Sequence, residues 1–103
     1  MIRWADKLYL SEDLRKKKTK MMKKIEGNNL NFEIYVIMLA SNSDNLFDII
    51  NANELQFSYY SKKENYILGL AGSRGLAMVL VKDMIEEIYK ETGDFLVREY
   101  FKE

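Results

Sequence analysis

The chain has 103 residues, 16 Lys plus Arg against 16 Asp plus Glu, 48% hydrophobic residues, and no His, Cys or Pro. That length predicts a single domain over residues 1–103 with one modest core, since a chain of this size buries about two thirds of its unfolded surface. Without Cys and His, disulfides, zinc clusters, haem ligation, thiol nucleophiles and imidazole acid–base chemistry are excluded within the chain.

The hydrophobic fraction and the 13% aromatic content are those of a folded globular protein. The longest uncharged apolar run, Ile34 to Ala40, is far shorter than the roughly 20 residues of a membrane helix, and no apolar block resembles a signal peptide. A cytoplasmic protein with no membrane contact is expected. Neutrality conceals a split: residues 1–24 hold nine Lys/Arg against three acids, a net of +6, and residues 25–103 carry the compensating −6.

In chain order, Lys7 to Leu10 reads as a short strand. Ser11 follows as an N-cap, with Glu12 and Asp13 suited to the positive end of a helix dipole, and Gly27-Asn28-Asn29 is expected to end the helix in a left-handed turn. At 100° per residue Leu14, Met21 and Ile25 fall within about 40°, so this helix has a thin apolar stripe and bases nearly everywhere else. Phe32 to Ala40 loses its alternation after Glu33 and reads as a central strand covered on both faces.

Ser41 to Asp44 is turn chemistry, and the spacing of Leu46, Phe47, Ile49 and Ile50 predicts a short helix ending near Asn51-Ala52-Asn53. Leu55 to Tyr60 alternates and reads as an edge strand or an aromatic connection, with the strand preferred. Tyr66 to Ala71 is a second all-apolar strand. Ser73 to Thr92 predicts the best helix, capped by Ser73 and stopped by Gly93. Its apolar arc spans about 180°, wider than the roughly 100° needed to pack on a sheet, so something further must cover it. Phe95 to Phe101 is then an edge strand or a tail over that surplus. The expected fold is a small two- or three-layer α/β sandwich with a mostly parallel sheet of three to five strands and three helices; a ferredoxin-like α+β plait is the alternative.

Three places invite functional readings. Gly69 to Gly75 joins a buried strand to a helix N-terminus, and Gly72, Ser73, Arg74 and Gly75 form a candidate anion-binding loop for a phosphate ligand. Its GxxGxxG spacing matches neither the dinucleotide fingerprint nor a P-loop. Ser73 on a strand-to-helix turn also has the outline of a nucleophile elbow, but no His exists to serve it, so no catalytic residue is assigned and an enzyme is disfavoured.

The acidic residues Asp44, Asp48, Glu54, Asp83, Glu86, Glu87, Glu91 and Asp94 follow no metal-ligand pattern and read as solvated faces; no metal or cofactor is expected. The basic segment is the second place. Lys16/Lys20 and Lys20/Lys24 are like-charged i,i+4 pairs, each costing about 0.2 to 0.5 kcal/mol in an isolated helix. Arg15, Lys16, Lys17, Lys20, Lys23 and Lys24 are therefore candidates for a polyanion, nucleic acid or an acidic protein. Phe57, Tyr59, Tyr60 and Tyr66 could stack bases if exposed together, although overall neutrality is unlike a dedicated nucleic-acid binder. The third place is the surplus arc of the last helix, where Met78, Ile85 and Tyr89, together with the C-terminal segment, are candidates for a homodimer contact.

The segments Tyr35 to Leu46, Tyr59-Tyr60, Gly69 to Arg74 and Ile88 to Gly93 resemble stretches of small uncharacterised proteins of low-GC Gram-positive bacteria (Firmicutes). The resemblance implies a stand-alone bacterial domain and transfers no site. Together these readings predict a non-enzymatic homodimeric association module, with polyanion binding at the basic helix and phosphate binding at the glycine loop as alternatives.

Overall fold

The computed structural model describes residues 1–27, 33–41 and 44–101. Four strands, β1 (Ile2–Leu10), β2 (Tyr35–Leu39), β3 (Phe47–Asn51) and β4 (Asn65–Ala71), form one sheet in the order β1-β4-β2-β3. Among the described residues four α-helices accompany it: α1 (Lys18–Glu26), α2 (Ser58–Ser61), α3 (Arg74–Thr92) and α4 (Val97–Tyr100), with 3-10 turns at Glu12–Leu14 and Ala52–Gln56.

The α/β class is as expected, and the mostly parallel sheet is not. Only β1 and β4 run parallel; β2 is antiparallel to both β3 and β4. The difference traces to residues 46–50, where a helix was predicted. Leu46, Phe47, Ile49 and Ile50 satisfy a helical period, but the chain turns back and pairs with β2, matching Tyr35 to Asn51 and Leu39 to Phe47. Phe47 and Ile49 then face one side of the sheet and Ile50 the other. The exposed polar edge of β2 requires a hydrogen-bonding partner, and that requirement outweighs a weak local period.

Helices cover both faces, so the layers are α/β/α and not a two-layer plait. On one face Leu8, Val36, Met38, Ile50, Ile67 and Leu70 pack under Leu14, Met21, Ile25, Ala52 and Leu55. On the other, Ala5, Ile37, Leu68 and Ala71 pack under Ala77, Leu80 and Met84 of α3. The uninterrupted apolar runs of β2 and β4 follow from this: each has a strand on either side and a helix above and below.

β1 is longer than Lys7 to Leu10. Its N-terminal half is masked in the sequence by Arg3 and Asp6, charges that an edge strand tolerates because they face water and discourage further pairing. Its register on β4 shifts between Trp4 and Tyr9. The predicted first helix is broken: a 3-10 turn buries Leu14, the chain turns through Arg15 to Lys17, and α1 begins at Lys18. Gly27 ends it at φ −89, not in the left-handed region; Asn28, Asn29 and Phe32 lie outside the described residues, as do Asn42 and Ser43 of the predicted turn.

Residues 55–60 form no strand. Asn51 and Glu54 make a reciprocal capping box, the Asn51 side chain accepting from the Asn53 amide at 2.9 Å and Glu54 from the Asn51 amide at 3.1 Å, which starts helical turns there. Leu55 is buried while Phe57 and Tyr59 face solvent, so the alternation does not correspond to a buried face. α3 matches its prediction closely: Ser73 Oγ accepts from the Leu76 amide at 3.1 Å, and Gly93 ends the helix at φ 79, where a side chain would be strained. The last segment is a tail, not a strand. Val97 is buried, Arg98 Nη2 donates to the Ala40 carbonyl at 2.6 Å, and the Phe101 ring packs edge-on to Tyr9 and Phe47.

Candidate functional site

The layered fold converts the charge split of the sequence into a spatial one, because α1 and α3 lie on opposite faces of the sheet. On α1, Met21 and Ile25 are buried and fix the helix, which turns Lys20 and Lys23 outward. Lys16 and Lys17 are exposed in the turn leading into α1. Among the described residues Lys16, Lys17, Lys18, Lys20 and Lys23 make no ion pair. Two members of the predicted set stand apart. Lys24 is half-buried with an interaction of its own, and Arg15 lines a shallow hollow with Leu76, Val79 and Asp83 at the junction with α3.

The exposed aromatics Phe57 and Tyr59 belong to the same layer as α1, across a cleft of about 440 Å³ lined by Ile25, Glu26, Leu55, Gln56 and Ser61. Tyr59 and Tyr60 meet edge to face at 4.9 Å, and the Lys63 ammonium lies 4.4 Å from the Tyr59 ring. Tyr66 does not join them; it faces the α3 layer, with the Arg3 guanidinium 4.2 Å from its ring.

At the glycine loop the place of an incoming anion is taken by the protein's own. A Cβ built on Gly72 would meet Asp13 Oδ2 at 1.9 Å, so only glycine lets this carboxylate approach the start of α3. Ser11, expected as a helix cap, ties the loop instead: its hydroxyl donates to Asp13 Oδ1 at 2.5 Å and accepts from the Gly72 amide at 3.2 Å. Ser73 spends its hydroxyl oxygen on its own helix, and Arg74 and Gly75 are exposed beside it. A carboxylate at a helix N-terminus satisfies the dipole that a phosphate would otherwise seek. The pairing of Asp13 with Gly72, 59 positions apart, carries no sequence signal.

The third place is the outward side of α3. Ala77, Leu80, Met84 and Ile88 are buried, and the neighbouring strip is not covered. Met78 is 61% exposed, Val79 56% and Tyr89 50%, with Ile85 half-buried between them. The tail adds to this surface as much as it covers: Phe95 stacks on Tyr89 at 4.8 Å and remains exposed, as does Leu96. Ile85, Glu86, Tyr89, Lys90 and Phe95 line a largely apolar hollow of about 600 Å³. Phe95 and Leu96, after Gly93 and Asp94, are the residues by which the C-terminal segment joins the set found from sequence, and Val79 is exposed next to Met78.

One polar cluster was not anticipated. Where β1, α3 and α4 meet, Glu87 accepts from Lys7 Nζ at 2.7 Å and from the Tyr9 hydroxyl at 2.5 Å, and the Tyr100 hydroxyl donates to Glu91. The hydrogen bond from Lys7, then that from Tyr9, lowers the Glu87 pKa, and Glu87 in turn raises that of Lys7. Burial and the bond to Glu87 raise Tyr9; the bond to Glu91 raises Tyr100. Each shift moves its group away from neutrality, the reverse of what a general acid or base working near pH 7 requires. The cluster acts as a fastening between the edge strand, the long helix and the tail.

No group of acidic side chains arranged to hold a metal ion occurs among the described residues, and no helix among them is long and apolar enough to cross a membrane. Neither a known protein family, nor a curated protein, nor a solved structure matches the chain.

Proposed function

We propose that this protein is a non-enzymatic association module that pairs with a second copy of itself through the outward side of α3 and the residues after Gly93. One observation carries the reading: Met78, half-buried Ile85 and Tyr89 share one side of α3, and Tyr89 stacks on exposed Phe95 beside exposed Leu96, so large apolar side chains line the helix and its tail. Scattered apolar residues on a surface need no explanation, whereas a contiguous strip beside a hollow marks an interaction surface. The setting consistent with the sequence is a bacterial cytoplasm.

Sedimentation velocity at micromolar protein tests the proposal. The wild-type chain is expected to run as a dimer and Met78→Glu as a monomer with an unchanged far-UV spectrum, since that side chain is already 61% exposed. A monomeric wild type overturns the reading.

A second reading is favoured by a separate observation, the five unpaired lysines around α1 on the same layer as exposed Phe57 and Tyr59. A basic ridge flanked by aromatics suits a single-stranded nucleic acid better than an acidic protein, because each base offers a face for stacking. Retention on heparin and binding to an oligonucleotide should both fall steeply with salt. The double variant Lys20→Glu, Lys23→Glu should weaken binding about tenfold or more at low salt; equal affinity would remove this alternative.

A further inference from the structure

Resting on the self-association reading, we infer that two copies pair α3 against α3 antiparallel, about a two-fold axis passing between Lys82 and Ile85. Met78 of each copy then sits in the hollow beside Tyr89 and Phe95 of the other.

The strip itself selects this arrangement. At 100° per residue Met78, Ile85 and Tyr89 lie within about 40° of one another, and at 1.5 Å per residue the two ends are about 17 Å apart along α3. The ends differ in shape. Met78 is an unbranched side chain standing 61% exposed, and Ile85, Tyr89 and Phe95 border the hollow of about 600 Å³. A knob at one end of a helix and a hollow at the other complement a second copy only when the copies run in opposite directions. A parallel pair would set Met78 against Met78 and leave both hollows empty.

Charge suits the antiparallel arrangement. Lys82 and Glu86 border the strip on one side and form a loose i,i+4 ion pair at 3.9 Å, with side chains 74% and 65% exposed, so each can turn to a second partner across the seam. About the proposed axis Lys82 comes level with Ile85 of the second copy and beside its Glu86, and the contact occurs twice. The contact is isologous and closed, so it yields a dimer and no filament. Docking the basic α1 of another copy onto this strip is disfavoured, because the strip is apolar and its bordering charges already balance.

The absence of cysteine makes the arrangement directly testable, since any thiol introduced is the only one present. Met78→Cys and Tyr89→Cys are made separately, purified, and oxidised singly and as an equimolar mixture. Each alone should stay uncrosslinked, and the mixture should give a disulfide between the two variants, because a disulfide needs Cα atoms within about 7 Å. Self-crosslinking of either variant alone, or a dimer that gives no mixed disulfide, overturns the antiparallel geometry and leaves self-association standing. Monomers in sedimentation overturn the reading on which the geometry rests. Met78→Cys with a short bismaleimide repeats the test if Tyr89→Cys perturbs its stack on Phe95: a crosslink between two Met78→Cys copies overturns the geometry, and none, with the variant still sedimenting as a dimer, supports it.

Discussion

The two helical layers solve the same problem in different ways. α3 runs 19 residues and covers its face of the sheet almost alone, sinking Ala77, Leu80, Met84 and Ile88. α1 runs 9 residues and sinks only Met21 and Ile25, so its face is completed by Leu14 before it and by Ala52 and Leu55 from the connection between β3 and β4. The long helix has apolar surface left over; the short one has charge left over. The area a helix can cover is set by its length, and what it fails to cover has to be recruited from elsewhere in the chain. That recruitment explains why residues 52–61 become helical turns over the α1 face and not a further strand.

Four substitutions sharpen or break this contrast. The largest effect is expected at Met84, which is fully buried: Met84→Ala should cost about 2 to 5 kcal/mol in urea unfolding, with α3 as the main cover of its face. Native-state hydrogen exchange should show α1 amides opening below the global unfolding free energy and α3 amides only with it, because α1 has fewer buried anchors. Equal protection of the two helices would end the contrast.

Next come the helix ends. Gly93 sits at φ 79, so Gly93→Ala should cost about 1 to 2 kcal/mol by the strain of a left-handed Cβ. Gly27→Ala, at φ −89, should cost less in the same thermal or urea titration. A larger loss at Gly27 would show that α1 depends on its terminus more than its shallow burial indicates.

The smallest effect belongs to the fastening at Glu87, which ties the α3 layer to the edge strand. Its pKa is lowered in the folded state, so the stability it contributes is present above the ordinary Glu value of about 4.3 and is lost as pH falls through the lower folded value. Lys7, raised by the same contact, loses its share as pH rises through its folded value. With Lys7 66% exposed, solvent screening holds the pair to about 0.2 to 1 kcal/mol. Glu87→Gln should therefore be less stable than wild type by that amount at neutral pH, with the gap closing in acid; a constant gap would assign the effect to packing.

Much of the fold was legible locally. The all-apolar strands β2 and β4, the long helix with Ser73 as its cap and Gly93 as its stop, and the thin stripe of α1 follow from patterns within single segments. The misread segments are those whose conformation answers a distant surface. Phe47 to Ile50 fits a helix by period and forms a strand because β2 has an open edge. Leu55 to Tyr60 alternates like a strand and coils because the Asn51 and Glu54 capping box starts a helical turn, a signal present in the sequence and passed over in favour of the alternation. Of the candidate surfaces, the outward strip of α3 was readable from the width of its arc, and the lysines from their run. The Asp13 carboxylate at Gly72 and the contact of Lys7 and Tyr9 with Glu87 were not, since they join residues 59 and about 80 positions apart.

The sequence by itself determined composition, its exclusion of imidazole and thiol chemistry, the surplus apolar arc and the +6 and −6 halves, because each is a sum or a period over neighbouring residues. Tertiary structure decided strand direction, the helical cover of the second face, and the placement of basic α1 and apolar α3 on opposite sides of the sheet. Those outcomes depend on which edges need hydrogen bonds and which faces need covering, and such demands exist only once distant segments meet.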